Sequence, residues 1–310
     1  SRERDAFGRK IADFGLIKEK LGEMVAQIYA LESMSYRITG MIDSMLKGID
    51  RGGAAAPKQT LEALQEYAVE CSILKVMGTE ILGFVADEAV QIFGGYGFCS
   101  GYNVERAYRD CRVNRIFEGT NEINRLLITD MLMKRSLKGQ LPLLAAARKL
   151  TDEILGMAPL EETEDGDPLA AEARLVQGAR KVALLVAGSA VQRYMLGLEH
   201  EQEVIGVMSN LVMAIFAMES ALLRAQKRLA RGGSPESDPA VAAMRVYLYD
   251  AADRMETGAR RALARIAEGD TLRTHLSVLR RFLRRTPPDT IELRRQLAGR
   301  AVEMCRYPFE

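Results

Sequence analysis

Apolar residues recur at steps of three and four along most of this 310-residue chain. The pattern is clearest over 14–47, where Leu16, Ile17, Leu21, Met24, Ile28, Leu31 and Met34 fall on one stripe of a helix. The run Arg51-Gly-Gly-Ala-Ala-Ala-Pro57 breaks it. A second long helix is predicted over 60–93, stopped by the glycine-rich turn Gly94-Gly-Tyr-Gly97. Shorter helices follow over 104–109, 120–134 and 140–156, and long ones over 169–198, 203–231 and 239–268. Leu276, Leu279, Phe282 and Leu283 mark an amphipathic helix in a basic stretch, and Pro287-Pro288 precedes a last helix to about Met304. At the start, Arg2-Glu-Arg-Asp5 reads as a closing helical turn with Gly8 as terminator.

The fold class is therefore all-α, a helical bundle over 1–135 and a second over 168–310. Between them, 136–167 reads as a connecting helix and an acidic linker, Leu160 to Pro168. The halves look related. Ile28-Tyr-Ala-Leu-Glu-Ser33 matches Ile215-Phe-Ala-Met-Glu-Ser220, and 75–92 lays on 245–262 with similar apolar spacing, as in a duplicated bundle or in two amphipathic helices of like pattern. The second half has no counterpart of Gly94–Gly97 or of Phe117–Thr120.

Composition narrows the functions. Forty-three basic residues meet forty-two acidic ones, a net charge of +1, which gives no footprint for nucleic acid. Cys71, Cys99, Cys111 and Cys305 form no C-x-x-C pair and only two His exist, so no zinc site is expected. The longest apolar stretch is read around Val182–Val191, too short to span a bilayer. Residues 132–158 join Lys134, Arg135, Lys138, Arg148 and Lys149 to several leucines, the pattern of a helix packed on its own domain.

Three segments carry candidate chemistry. Arg4-Asp-Ala-Phe-Gly8 is one, and Gln91-Ile-Phe-Gly-Gly-Tyr-Gly-Phe98 is another. Bare glycines after a helix let a ligand approach the backbone, although a Gly-Gly stop is also ordinary helix punctuation. The third runs from Arg106 to Arg125 and includes Ile116-Phe-Glu-Gly-Thr-Asn-Glu-Ile123. Arg106, Arg109, Asp110 and Arg112 suit a buried network holding the loop before Glu118. Thr120 is a candidate N-cap. Read alone, Glu118 either complements the following helix N-terminus or is a carboxylate desolvated beside Phe117 and raised toward a useful base.

Together the three segments resemble the acyl-CoA dehydrogenase family, in its order and spacing, over about residues 2–134. Phe14-Gly-Leu-Ile-Lys-Glu-Lys-Leu21 and the Phe117 before Glu118 look most like its very-long-chain branch, which has an extra C-terminal helical domain. The resemblance implies a flavoprotein oxidoreductase of fatty-acid β-oxidation. In it, Glu118 removes the α-proton of an acyl-CoA while the β-hydrogen leaves as hydride to FAD, giving a trans-2-enoyl-CoA. Phe117 and Gly119 then line the substrate thioester. Arg4 and Phe7 match contacts to FAD, and Gln91, Ile92, Phe93, Gly94 and Gly95 match a strip that meets the FAD of a neighbouring subunit, implying a homodimer. Thr120, Asn121 and Glu122 match a third FAD contact, with Glu122 where many relatives have Gln.

The implied partners are an acyl-CoA substrate and electron-transferring flavoprotein. The implied site is the bacterial cytoplasm or the mitochondrial matrix, with 136–158 as the region for peripheral contact with the inner membrane. The family's N-terminal helical and β domains are expected upstream of Ser1, so this chain alone is expected to bind FAD weakly and to be inactive. Two other readings stay open, a helical assembly or docking module and a relative that reoxidises flavin with oxygen, as acyl-CoA oxidases do.

Overall fold

The computed structural model describes residues 1–50, 52–156 and 166–309, without the side chains of Leu144 and Leu155. The predicted acidic linker falls largely outside the described residues. Twelve α-helices and one two-residue-per-strand hairpin are present among the described residues. Two compact units result, Ser1–Asn124 with Leu223–Tyr247 and Pro288–Glu310, and Arg125–Leu222 with Leu248–Pro287.

The first unit opens with strands β1 (Asp5–Ala6) and β2 (Arg9–Lys10), paired antiparallel. This corrects the helical turn expected there. Phe7 and Gly8 both have positive φ, 50° and 78°, the double left-handed step of a tight hairpin turn. Lys10 Nζ closes the hairpin on Asp5 at 2.8 Å. Helix α1 (Gly15–Leu46) follows the predicted span closely. Its buried stripe is Gly22, Val25, Ala26, Tyr29, Ala30, Ser33, Met34 and Ile38, which shares only Met34 with the stripe of large apolar residues read in the sequence. Small residues bring neighbouring backbones close there. Leu21, Met24 and Ile28 instead line a cavity of about 310 Å³ with Ala301 and Val302.

The predicted helix 60–93 is two helices, α2 (Ala56–Glu66) and α3 (Ala68–Phe93). Tyr67, at φ −98° and ψ 21°, interrupts them without a Gly or Pro to announce it. Then come the single turn α4 (Gly95–Phe98), α5 (Asn103–Arg112) and the start of α6 (Asn121–Leu137). Helix α12 (Thr290–Met304) packs along α1. The chain end is tied down by polar contacts. Arg224 Nη1 reaches Glu32 at 3.0 Å, the Tyr307 hydroxyl donates to the same carboxylate at 2.7 Å, and the Arg224 guanidinium lies 4.5 Å from the Tyr29 ring centre. Burial pushes the Tyr29 hydroxyl well above its ordinary pKa; burial, then the bond to Glu32, does the same to Tyr307. Helix α10 (Pro239–Ile266) starts with proline, which needs no N–H there, after Asp238, whose carboxylate accepts the Ala240 N–H at 2.8 Å.

The second unit holds most of α6, then α7 (Leu143–Leu155), α8 (Ala170–Tyr194), α11 (Gly269–Phe282) and the remaining parts of α9 (Gln202–Leu229) and α10. Helix α7 packs on α8, burying Leu150 and pairing Glu153 with Lys181 at 2.6 Å. Thr129 and Ser209 share a buried hydroxyl bond of 2.7 Å between α6 and α9. The sequence reading of the apolar runs is corrected at α9. That helix, not 182–191, is the one among the described residues long and apolar enough by composition to cross a membrane. Its apolar window is 56% buried, as in a core helix. The two matched segments also share a local hydrogen bond that Ser and Thr form elsewhere in these helices. Ser33 Oγ back-bonds to Tyr29 O, and Ser220 Oγ back-bonds to Phe216 O, each at 2.6 Å and at matching positions of the two sequence segments.

One titration bears on this unit. His275 on α11 is half-buried, its Nδ1 has no hydrogen-bond partner, and burial lowers its pKa from the ordinary 6.5. The fold therefore favours neutral imidazole, and near pH 6 the unfolded chain binds more protons. Its contribution to stability is complete above about pH 6.5 and is lost as pH falls through the folded pKa. Denaturant melts at pH 7 and pH 5 should show a larger loss for the wild type than for His275→Gln. Equal losses would remove the effect.

Candidate functional site

Helix α6 begins with a formed cap. Thr120 Oγ1 accepts the Ile123 N–H at 3.3 Å, satisfying one of the free N–H groups of the first turn. Just before it the chain takes two left-handed steps in a row, Glu118 at φ 55° and Gly119 at φ 77°. Glycine accepts this conformation freely; glutamate does so at a cost of roughly 1 kcal/mol or more. The turn is held from behind. Asn124 Nδ2 donates to three successive carbonyls, those of Glu118, Gly119 and Thr120, at 3.4, 2.9 and 3.1 Å. Lys75 Nζ donates to the Gly119 carbonyl and to Asn121 Oδ1, both at 2.7 Å. Asn121 Nδ2 in turn donates to Thr79 Oγ1 at 3.0 Å and Glu80 Oε1 at 3.2 Å. The backbone is thereby pinned to α3, while Phe117, Glu118 and Gly119 remain exposed.

A second cluster forms where α3 ends. Gly94, at φ 63°, stops the helix and donates its N–H to Val90 O and Gln91 O. The Arg4 guanidinium is seated on this glycine. It donates to the Phe93 carbonyl at 3.2 Å, and a Cβ on Gly94 would come within 2.8 Å of Nη1. Phe7, at the tip of the hairpin, is 98% exposed, its ring edge-on to Phe14 at 6.3 Å. Gln91, Phe93 and Gly95 are exposed and Ile92 is buried, so Ile92 offers its backbone rather than its side chain.

The structure thus brings Arg4 to Phe93 and Gly94, and gathers Thr120 and Asn121 behind Glu118. The Asn121 amide is buried and committed to α3, whereas Glu122 is exposed. One expectation is corrected. Arg106, Arg109, Asp110 and Arg112 form no buried network; all four are exposed on α5. The holding is done by Lys75, Thr79, Asn121 and Asn124, together with Arg115, whose Nε and Nη2 reach the carbonyls of Thr79 and Glu80 at 3.5 and 3.4 Å. The sequence carried a signal for this. Lys75, Thr79 and Gly83 stand four residues apart on α3 and so share one face, polar or bare beside the apolar residues Ile73, Val76 and Ile81.

Two family models, both described as the acyl-CoA dehydrogenase C-terminal domain, match residues 1–133 and 178–281. The chain belongs to the acyl-CoA dehydrogenase family. It is 40% identical over 307 residues to a probable acyl-CoA dehydrogenase of Bacillus subtilis, covering 99% of this chain and 51% of that protein. A crystal structure of an acyl-CoA dehydrogenase from Bacillus anthracis, complexed with FAD, is 41% identical with a TM-score of 0.94, covering 99% of this chain and 52% of that one. The human mitochondrial very long-chain specific acyl-CoA dehydrogenase is 40% identical over 125 residues, which are 40% of this chain and 16% of that protein. The chain spans about half the length of the two bacterial family members.

Proposed function

We propose that this chain supplies the catalytic base and part of the FAD seat of an acyl-CoA dehydrogenase that converts long or very long acyl-CoA to trans-2-enoyl-CoA in fatty-acid β-oxidation. The observation that carries this is the Glu118 turn, with its carbonyls clamped to α3 and α6 and its carboxylate left open. The α-proton of a thioester is a weak acid, and a base that removes it must be held in line rather than found by diffusion. Phe117, beside the carboxylate and 48% exposed, offers an apolar surface to the substrate and helps exclude water once it binds.

The residues present fit FAD. Arg4 keeps an exposed cation beside the bare backbone of Gly94 and Gly95, which suits a diphosphate, and Phe7 presents a free aromatic face. When bound, FAD supplies the hydride acceptor. The exposed strip formed by Gln91, Phe93 and Gly95 is proposed to serve the cofactor of a second copy in a homodimer, and electron-transferring flavoprotein to take the electrons onward. Similarity to the very long-chain human relative supports the chain-length preference.

The test is anaerobic titration of the full-length flavoprotein with acyl-CoAs from short to very long chains. The flavin absorbance should bleach, fastest with the long chains. If no acyl-CoA reduces the flavin, the proposal is wrong; if short chains win, the chain-length part is.

A further inference from the structure

We infer that Lys75 is a positioning residue for the base, acting through the backbone of the Glu118 turn; this rests on the reading of Glu118 as the base. The turn contains an L-residue in a conformation that unconstrained chains avoid, so something must over-determine it. Asn124 alone spreads one amide group over three carbonyls, and its bond to Glu118 O is long, at 3.4 Å. Lys75 adds a charge-assisted donor at 2.7 Å to the Gly119 carbonyl, the shortest of the side-chain bonds to these three carbonyls. The same ammonium donates to Asn121 Oδ1 at 2.7 Å. One cation thereby ties both sides of the Thr120 cap, the residue before it and the first residue of α6, to the N-terminal third of α3.

The consequence is geometric. With the Gly119 carbonyl drawn toward α3, the Glu118 carboxylate is left on the open side. Replacing the ammonium by an apolar tip frees the Gly119–Thr120 peptide to rotate and lets Glu118 relax toward ordinary negative φ, carrying its carboxylate away. Displacement of a reacting group by about 1 Å can cost on the order of a hundredfold in rate. An ordinary structural tie predicts something different, lost stability or lost cofactor with chemistry intact in whatever remains folded.

The experiment uses the full-length flavoprotein and compares wild type, Lys75→Met, Lys75→Arg and Glu118→Gln. It measures kcat per bound flavin, KM for the best acyl-CoA, flavin content and melting temperature. Lys75→Met should lower kcat per bound flavin by about tenfold to a hundredfold with KM changed less than about threefold. Lys75→Arg, which keeps a charged donor, should recover most of that loss. Wild-type kcat per bound flavin in Lys75→Met, or a fall in flavin content and melting temperature alone, would overturn the inference. Should Lys75→Met not fold, Lys75→Gln is read by the same criteria, and failure of both to fold makes Lys75 a structural residue and overturns it too. Glu118→Gln separates the two levels. If it turns over normally, the base assignment is wrong whatever Lys75 does. If it is inactive while Lys75→Met is normal, only the role of Lys75 falls.

Discussion

Glu118→Gln in the full-length protein should lose roughly 10³-fold or more of its rate of flavin reduction by acyl-CoA while keeping its FAD. Glutamine has the shape of glutamate but takes up no proton at neutral pH. The side chain is exposed, and the hydrogen bonds holding this turn go to its backbone carbonyls, so the substitution leaves the clamp from Asn124 and Lys75 in place. The decisive readout is stopped-flow bleaching of the flavin beside a flavin absorbance spectrum. Bleaching at a wild-type rate would sink the assignment, and loss of FAD would mean that Glu118 serves the cofactor instead. A companion substitution exploits the backbone. Glu118→Gly places glycine where φ is 55°, removing the side-chain strain of the left-handed region. It should be equally inactive yet no less stable than wild type. That pair of results would make the conformational cost at this position one that function explains and packing does not.

How much of this was readable beforehand depends on what each feature is made of. Helix α1 was legible because 32 residues of uninterrupted apolar periodicity admit little else. Its buried face differs from the stripe of large apolar residues because small residues set the closest approach. Gly22, Ala26 and Ala30 are the positions that bring neighbours close, so Val25 and Tyr29 are buried beside them, while of the predicted stripe Met34 is buried and Leu16 is 74% exposed. The break at Tyr67 had no local signal, since the polar-apolar pattern continues through it. The hairpin at Phe7 and Gly8 was hidden by a glycine that serves a helix stop as readily as a tight turn. At the site, Thr120 was visible as a cap because capping is local. Lys75 is legible only as part of a polar face of α3, because 44 residues separate it from the carbonyl it holds and the face does not name its partner. Asn124 is close in sequence to its acceptors, but an Asn in a first helical turn does not announce bonds back to the carbonyls before it. The exposed Arg106–Arg112 cluster drew attention by its charge density, while the single Arg115 beside it holds the carbonyls of α3.

Gly178→Ala should destabilise the second unit by on the order of 3 kcal/mol, the largest loss expected from adding a single methyl group. Gly178 lies in α8 where the carbonyl of Phe282, the last residue of α11, rests on its bare Cα. A Cβ there would overlap that oxygen and stand 3.0 Å from its carbon. The obstacle is backbone, so no rotamer change relieves it. Phe282 and Leu279 are buried, so α11 cannot shift aside without uncovering them, and burial of such side chains is worth about 1.5–3 kcal/mol each. Either the helices separate and lose that burial or the end of α11 unwinds. Gly188, ten residues along the same helix, is the matched control, since a Cβ there has nothing within 4 Å. Gly188→Ala should be neutral or gain up to about 1 kcal/mol from better helix propensity. Denaturant unfolding followed by circular dichroism compares the two. Equal stability of Gly178→Ala and Gly188→Ala would show that α11 does not lie against α8 at this distance. A loss confined to Gly178→Ala would establish that glycine, which reads in the sequence as a weak point of a helix, is here the residue that lets the second bundle close.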